Sequence, residues 1–113
     1  MIREVGEKDL HDLLQLYMQL HDNPKPEFTK ELSELWESIL EDKNHHIIVA
    51  EEEGRIVSSC VCVIIPNLTR SQRPYAFVEN VITDEAYRRK GLARACLDYA
   101  KGLAEKENCY KMM

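Results

Sequence analysis

A chain of 113 residues allows one domain, and its balance of 44% hydrophobic and 31% charged residues is that of a folded globular protein, not a disordered one. Twenty acidic against fifteen basic residues leave a net charge of −5. That charge disfavours nucleic acid as a partner, because phosphate neutralisation supplies most of that affinity, and mildly favours a cationic or amine-bearing substrate.

Residues 2 to 5 suit an edge strand. From Glu7, Leu10, Leu13, Leu14 and Tyr17 recur at helical spacing and predict a helix to about His21. Asn23-Pro24-Lys25-Pro26 breaks it, since proline lacks an amide hydrogen and restricts the residue before it. A second helix carries Phe28, Leu32, Leu35, Trp36, Ile39 and Leu40 as one stripe and ends near Asp42-Lys43-Asn44. The period then changes to two. His46 to Glu51 and Arg55 to Ile65 read as strands joined at Glu52-Glu53-Gly54, where glycine can adopt a positive φ. Pro66 to Pro74 is a polar loop, with Arg70 and Arg73 read as solvated. Ala76 to Thr83 is a further strand, followed by a charged turn over Asp84 to Lys90. Gly91 to Glu107 repeats Leu92, Cys96, Tyr99 and Leu103 at helical spacing, Asn108 suits its end, and Cys109 to Met113 opens another strand.

No apolar run reaches the roughly 20 residues of a membrane helix, the longest being Val61 to Ile65 before Pro66. Met1-Ile2-Arg3-Glu4 lacks the basic-then-apolar pattern of a signal peptide, so cytoplasm is the expected compartment. Cys60, Cys62, Cys96 and Cys109 lie in apolar segments without Cys-x-x-Cys spacing, which predicts buried thiols and neither a zinc site nor disulfides. His45 and His46, as neighbours on a strand, point to opposite faces and read as a surface pair with no third metal ligand.

The segment Arg88-Arg89-Lys90-Gly91-Leu92-Ala93 fits Arg/Gln-x-x-Gly-x-Gly/Ala between a strand and a helix. The first turn of a helix presents amides without carbonyl partners, and the helix dipole adds positive potential there. A pyrophosphate can take several of those hydrogen bonds where the backbone is not shielded, a condition that small Gly91 and Ala93 meet. By itself the hexapeptide also suits a solvated basic turn with glycine at a helix start. A dinucleotide fingerprint fails, because no glycine precedes Gly91 by two residues and the earlier strands are hairpin-linked.

Together with Phe77-Val78-Glu79-Asn80-Val81-Ile82-Thr83-Asp84-Glu85-Ala86-Tyr87, this turn resembles the core motif of the GNAT N-acetyltransferase superfamily, closely from Phe77 to Leu97 and more loosely over Ile2 to Tyr17. The resemblance implies an α/β fold with a mixed, mainly antiparallel sheet flanked by helices, in the order β-α-α-β-β-β-α-β. It implies acetyl-CoA as acetyl donor, no metal, and an amine acceptor. Backbone groups of Val81 and Thr83 would pair with the pantetheine arm, and the amide near Val81 or Ile82 would bind the acetyl carbonyl and its oxyanion. Arg88, Arg89, Lys90, Gly91, Leu92, Ala93 and Arg94 would surround the pyrophosphate.

Glu79 is the one carboxylate in an otherwise apolar strand. Burial there raises a carboxylate pKa toward the range of a general base, and the resemblance matches Glu79 to a position where several family members place one. A carboxylate satisfied by arginine or backbone amides is the other reading. Family members usually continue beyond the point where this sequence stops. Residues 1–113 are therefore expected to be a single domain lacking its C-terminal helix and strands, with a homodimer as one way to cover the last strand. A non-catalytic acyl-CoA-binding or assembly module of the same fold is the alternative to an enzyme.

Overall fold

The computed structural model describes residues 1–20 and 24–113. Strand β1 (Ile2–Glu4) leads through a 3-10 turn (Glu7–Asp9) into α1 (Leu10–Tyr17), followed by α2 (Lys30–Glu41), β2 (His45–Glu52), β3 (Arg55–Ile65), β4 (Tyr75–Thr83), a 3-10 turn (Glu85–Tyr87) and α3 (Leu92–Lys106). The strands form one antiparallel sheet in the order β1-β2-β3-β4.

Ile47 to Ala50 is a continuous apolar run because β2 lies mid-sheet and is covered on both faces. Ile48 and Ala50 pack with Val57, Cys60, Cys62, Ile64 and Ala76 beneath Cys96, Ala100 and Ala104 of α3. Those small residues let α3 lie close to the sheet. Ile47 and Val49 face the other way, with Ile56, Val61 and Ile82, under Leu13 and Leu16 of α1 and Trp36 of α2. Trp36 Nε1 donates to the Glu7 carbonyl at 3.2 Å, which ties α2 to the start of α1. Arg3 joins β1 to that same turn: its guanidinium binds Asp9 at 2.7 Å and Glu51 at 2.9 Å and holds the Asp9 carboxyl below the usual carboxylate range.

The helices are shorter than the apolar periodicity suggests. The α1 helix ends at Tyr17, and both the expected end at His21 and the breaker Asn23 lie outside the described residues. Phe28 is not in α2: Thr29 caps that helix, its hydroxyl accepting from the Leu32 amide at 3.1 Å, and Phe28 lies upstream, stacked on His11. Leu35 of the predicted stripe is 56% exposed, whereas Trp36 is buried. His46 is not a surface residue either, for its Nδ1 lies 2.6 Å from Glu4 Oε1 and fastens β2 to β1.

Two further features bear on the site. The segment from Cys109 to Met113 pairs in parallel with β4 as the opening of a strand: Met112 bridges Ala76, the Tyr110 and Met113 amides donate to the Pro74 and Ala76 carbonyls, and the Ala76 and Val78 amides donate to the Lys111 and Met113 carbonyls. Arg70 and Arg73 are engaged, not merely solvated. Arg73 donates to the carbonyls of Asn108 and Cys109, both at 3.1 Å, and Arg70 lies over the Tyr110 ring.

Candidate active site

The site grows from the end of β4. Cys60 of β3 faces two residues of β4, Asn80 and Val81, because the register passes from Ser59↔Ile82 to Val61↔Glu79. Such a bulge leaves an unpaired residue and bends the strand. Asn80 carries it with a φ of 52°, a left-handed conformation that asparagine tolerates. Glu79, Asn80 and Val81 are all exposed here, although Ala76 and Ile82 on either side are buried.

After Thr83 the chain turns sharply. The Asp84 amide donates to the Val57 carbonyl at 2.7 Å, and its carboxylate accepts from the Ala86 amide at 2.9 Å. Tyr87 N–H then donates to the Asp84 carbonyl at 2.8 Å. Arg88 is extended, and its Nε donates to the Thr83 carbonyl at 3.4 Å. Arg89 and Gly91 are both left-handed, with φ of 66° and 75°, and α3 begins at Leu92. A β-carbon on Gly91 would meet no atom within 4 Å, so glycine is required there by the backbone angle and not by crowding within the protein.

No side chain caps α3, and its first turn holds no acidic residue. The Ala95 amide bonds the Gly91 carbonyl at 3.0 Å, so the amides of Leu92, Ala93 and Arg94 precede the first intrahelical bond. These amides, the helix dipole and the positive charges of Arg88, Arg89 and Arg94 give this end a positive potential suited to an anion. A groove of about 410 Å³ opens there, lined by Val81, Ile82, Thr83, Tyr87, Arg88, Arg89, Gly91, Leu92, Ala93 and Arg94.

The groove brings together every residue that the sequence pointed to for a pyrophosphate and pantetheine site except Lys90. The Lys90 ammonium lies instead over the Tyr87 ring, 5.1 Å from its centre. Tyr87 is the lining residue the sequence reading left without a role; its place next to Arg88 was the available signal. Glu79 is not in this groove. It pairs with Val61, whose side chain packs on the α1 and α2 side, and so projects toward those helices. The expectation of a buried carboxylate is wrong: Glu79 is exposed, next to the bulge at which β4 bends. The four thiols stay unpaired, with Cys60, Cys62 and Cys96 buried and Cys109 partly so. Among the described residues, no group of three or more His, Cys, Asp or Glu is placed to hold a metal ion, and no helix is long and apolar enough to cross a membrane.

The model of the acetyltransferase (GNAT) family matches residues 9–113. The chain belongs to the GNAT family. Over 60 residues it is 35% identical to a glucosamine 6-phosphate N-acetyltransferase of Trypanosoma brucei brucei, a match that spans 53% of this chain and 41% of that relative. Among solved structures, a proposed acetyltransferase from Agrobacterium tumefaciens str. C58 superposes with a TM-score of 0.93 at 40% identity, covering 100% of this chain and 78% of the other. An acetyltransferase of Trypanosoma brucei superposes with a TM-score of 0.87 at 26% identity, covering 100% and 80%. The GNAT fold of this chain is thus carried by sequence and structure alike.

Proposed function

We propose that this GNAT chain binds acetyl-CoA in the groove between β4 and α3 and transfers the acetyl group to a primary amine by direct attack. The observation that carries the reading is the uncapped start of α3, where free amides and three arginines converge on one groove beside an irregular strand edge. The amides of Leu92, Ala93 and Arg94 would hold the pyrophosphate, and Val81 and Thr83 would pair with the pantetheine arm. At the bulge, an amide at Val81 or Ile82 would donate to the acetyl oxygen as it gains negative charge. The amine nitrogen would form its bond to the acetyl carbon, and the carbon–sulfur bond would break with its electron pair leaving on CoA as the thiolate. The amine proton would pass to Glu79 directly or through water, and the thiolate would take up a proton from solvent.

The acceptor of the Trypanosoma relative, glucosamine 6-phosphate, supports an amino sugar or another small primary amine as the class to test first. Cytoplasmic residence and a homodimer are part of the same proposal, with the exposed Phe28 and Leu35 offering apolar surface to a second copy. Calorimetric titration with CoA, followed by turnover of acetyl-CoA against a panel of primary amines, tests it. CoA binding and turnover of at least one amine are expected. A second reading, a non-catalytic acyl-CoA-binding module, is favoured by the exposure of Glu79, and binding without turnover of any amine would establish it. Absence of CoA binding would overturn both.

A further inference from the structure

The turn that feeds the groove is held from outside by one residue of the opposite layer. Gln19, just beyond the end of α1, accepts from the Glu85 amide at 2.9 Å through Oε1 and donates through Nε2 to Asp84 Oδ2 at 3.3 Å. Asp84 is the pivot of that turn. Its other carboxylate oxygen accepts from the Ala86 amide, its carbonyl accepts from the Tyr87 amide, and its side chain is only 14% exposed. Arg55, at the start of β3, lies 3.6 Å from the same Oδ2. Three and four residues beyond Asp84, Tyr87 and Arg88 line the groove, and Arg88 reaches back to the Thr83 carbonyl. The Gln19 side chain therefore fastens the α1 layer to a turn whose geometry sets where the groove's arginines and amides stand.

We infer that Gln19 is a positioning residue for CoA: it couples the end of α1 to the 84–88 turn, so that the groove is formed only while α1 is docked. This rests on the placement of CoA proposed above. The amide is suited to the task because it offers an acceptor to Glu85 and a donor to Asp84 at once. A carboxylate would keep the first bond and turn the second into repulsion between like charges.

The test titrates CoA into the wild-type protein and into Gln19→Ala, Gln19→Glu and the pair Gln19→Glu with Asp84→Asn, with melting temperature recorded for each. Loss of the clasp in Gln19→Ala should raise Kd by about three- to tenfold, the scale of one or two partly exposed hydrogen bonds. Gln19→Glu should weaken binding at least as much. The pair restores a donor facing an acceptor with the polarity reversed, and it should bring Kd back toward the wild-type value. With an active amine, KM for acetyl-CoA should rise in Gln19→Ala while kcat holds, and amide exchange at Glu85 and Tyr87 should quicken without CoA present. A merely structural role would lower the melting temperature but leave the Kd of the folded protein unchanged, and that result overturns the inference. If Gln19→Ala does not fold, the comparison of Gln19→Glu with the polarity-reversed pair decides it: equal Kd in both overturns the inference. Failure of the wild-type protein to bind CoA would sink the proposed function itself, a different outcome from wild-type binding that Gln19 does not influence.

Discussion

Gly91 combines a left-handed backbone with open space around its missing β-carbon. A residue with a β-carbon pays about 1–2 kcal/mol in that conformation, so Gly91→Val should weaken CoA binding by roughly five- to thirtyfold as the loop relaxes away from its binding shape. Gly91→Ala should show most of the same loss, since the strain of the left-handed angle is common to both and the protein itself leaves room for a β-carbon; calorimetry on both variants checks this. Glu79 sits elsewhere, exposed beside the bulge, and its proposed role is narrower than burial would have made it. Glu79→Gln should leave CoA binding intact and lower turnover by roughly 10² to 10⁴, less at high pH where more of the amine is already deprotonated. An unchanged pH–rate profile in the variant would assign the proton to water or another group. At this scale the sequence was informative where backbone chemistry dictates residue type, as at the left-handed Gly91. It was silent on direction: nothing in Arg89-Lys90 says that the left-handed Arg89 swings Lys90 onto Tyr87 and out of the groove.

At the level of elements, β4 shows what a period-two pattern conceals. Val78, Val81 and Ile82 mark a strand, but an extra residue within it shifts the alternation without leaving a gap in the apolar pattern. Asn80 is the only hint, being among the residues that accept a positive φ. Asn80→Val should cost about 1–2 kcal/mol in urea unfolding, and Asn80→Gly should cost little, because only the first adds strain at that angle. Equal losses would show that the asparagine side chain, not its backbone, matters. The helices were legible through Leu10, Leu13, Leu14 and Trp36, yet the α2 boundary was not: Phe28 extends the stripe, but the Thr29 hydroxyl on the Leu32 amide starts the helix after it. The Cys109 to Met113 segment has the composition of a strand, and its backbone pairs in parallel with the start of β4 through Met112 and Ala76.

For the whole molecule, the switch between helical and period-two spacing made the order of elements readable, and the family resemblance supplied a sheet flanked by helices. The burial of Ile47 to Ala50 on both faces is visible only in the structure. The same burial has a consequence at alkaline pH. It pushes the Cys60 thiol up to about 12, Cys62 to about 11 and the Tyr17 hydroxyl to about 12, from ordinary values of 9.0 and 10.0. The folded state thus retains protons that the unfolded chain releases. Stability from this source is complete below the unfolded thiol value near 9.0 and is lost as pH rises through 11 to 12. The urea midpoint should therefore begin to fall from about pH 9. A level midpoint through that range would mean that the thiols ionise in the folded state. The charge layout has a kinetic consequence. A body of net charge −5 repels a polyanion over most of its surface, while Arg88, Arg89 and Arg94 open one attractive door. Stopped-flow association of CoA should slow as salt rises from about 20 to 200 mM, with a smaller change in dissociation. In the proposed reading that door would draw in spent CoA as readily as acetyl-CoA, so the field that speeds arrival would also slow departure, and release of the used carrier would weigh most on turnover at low salt.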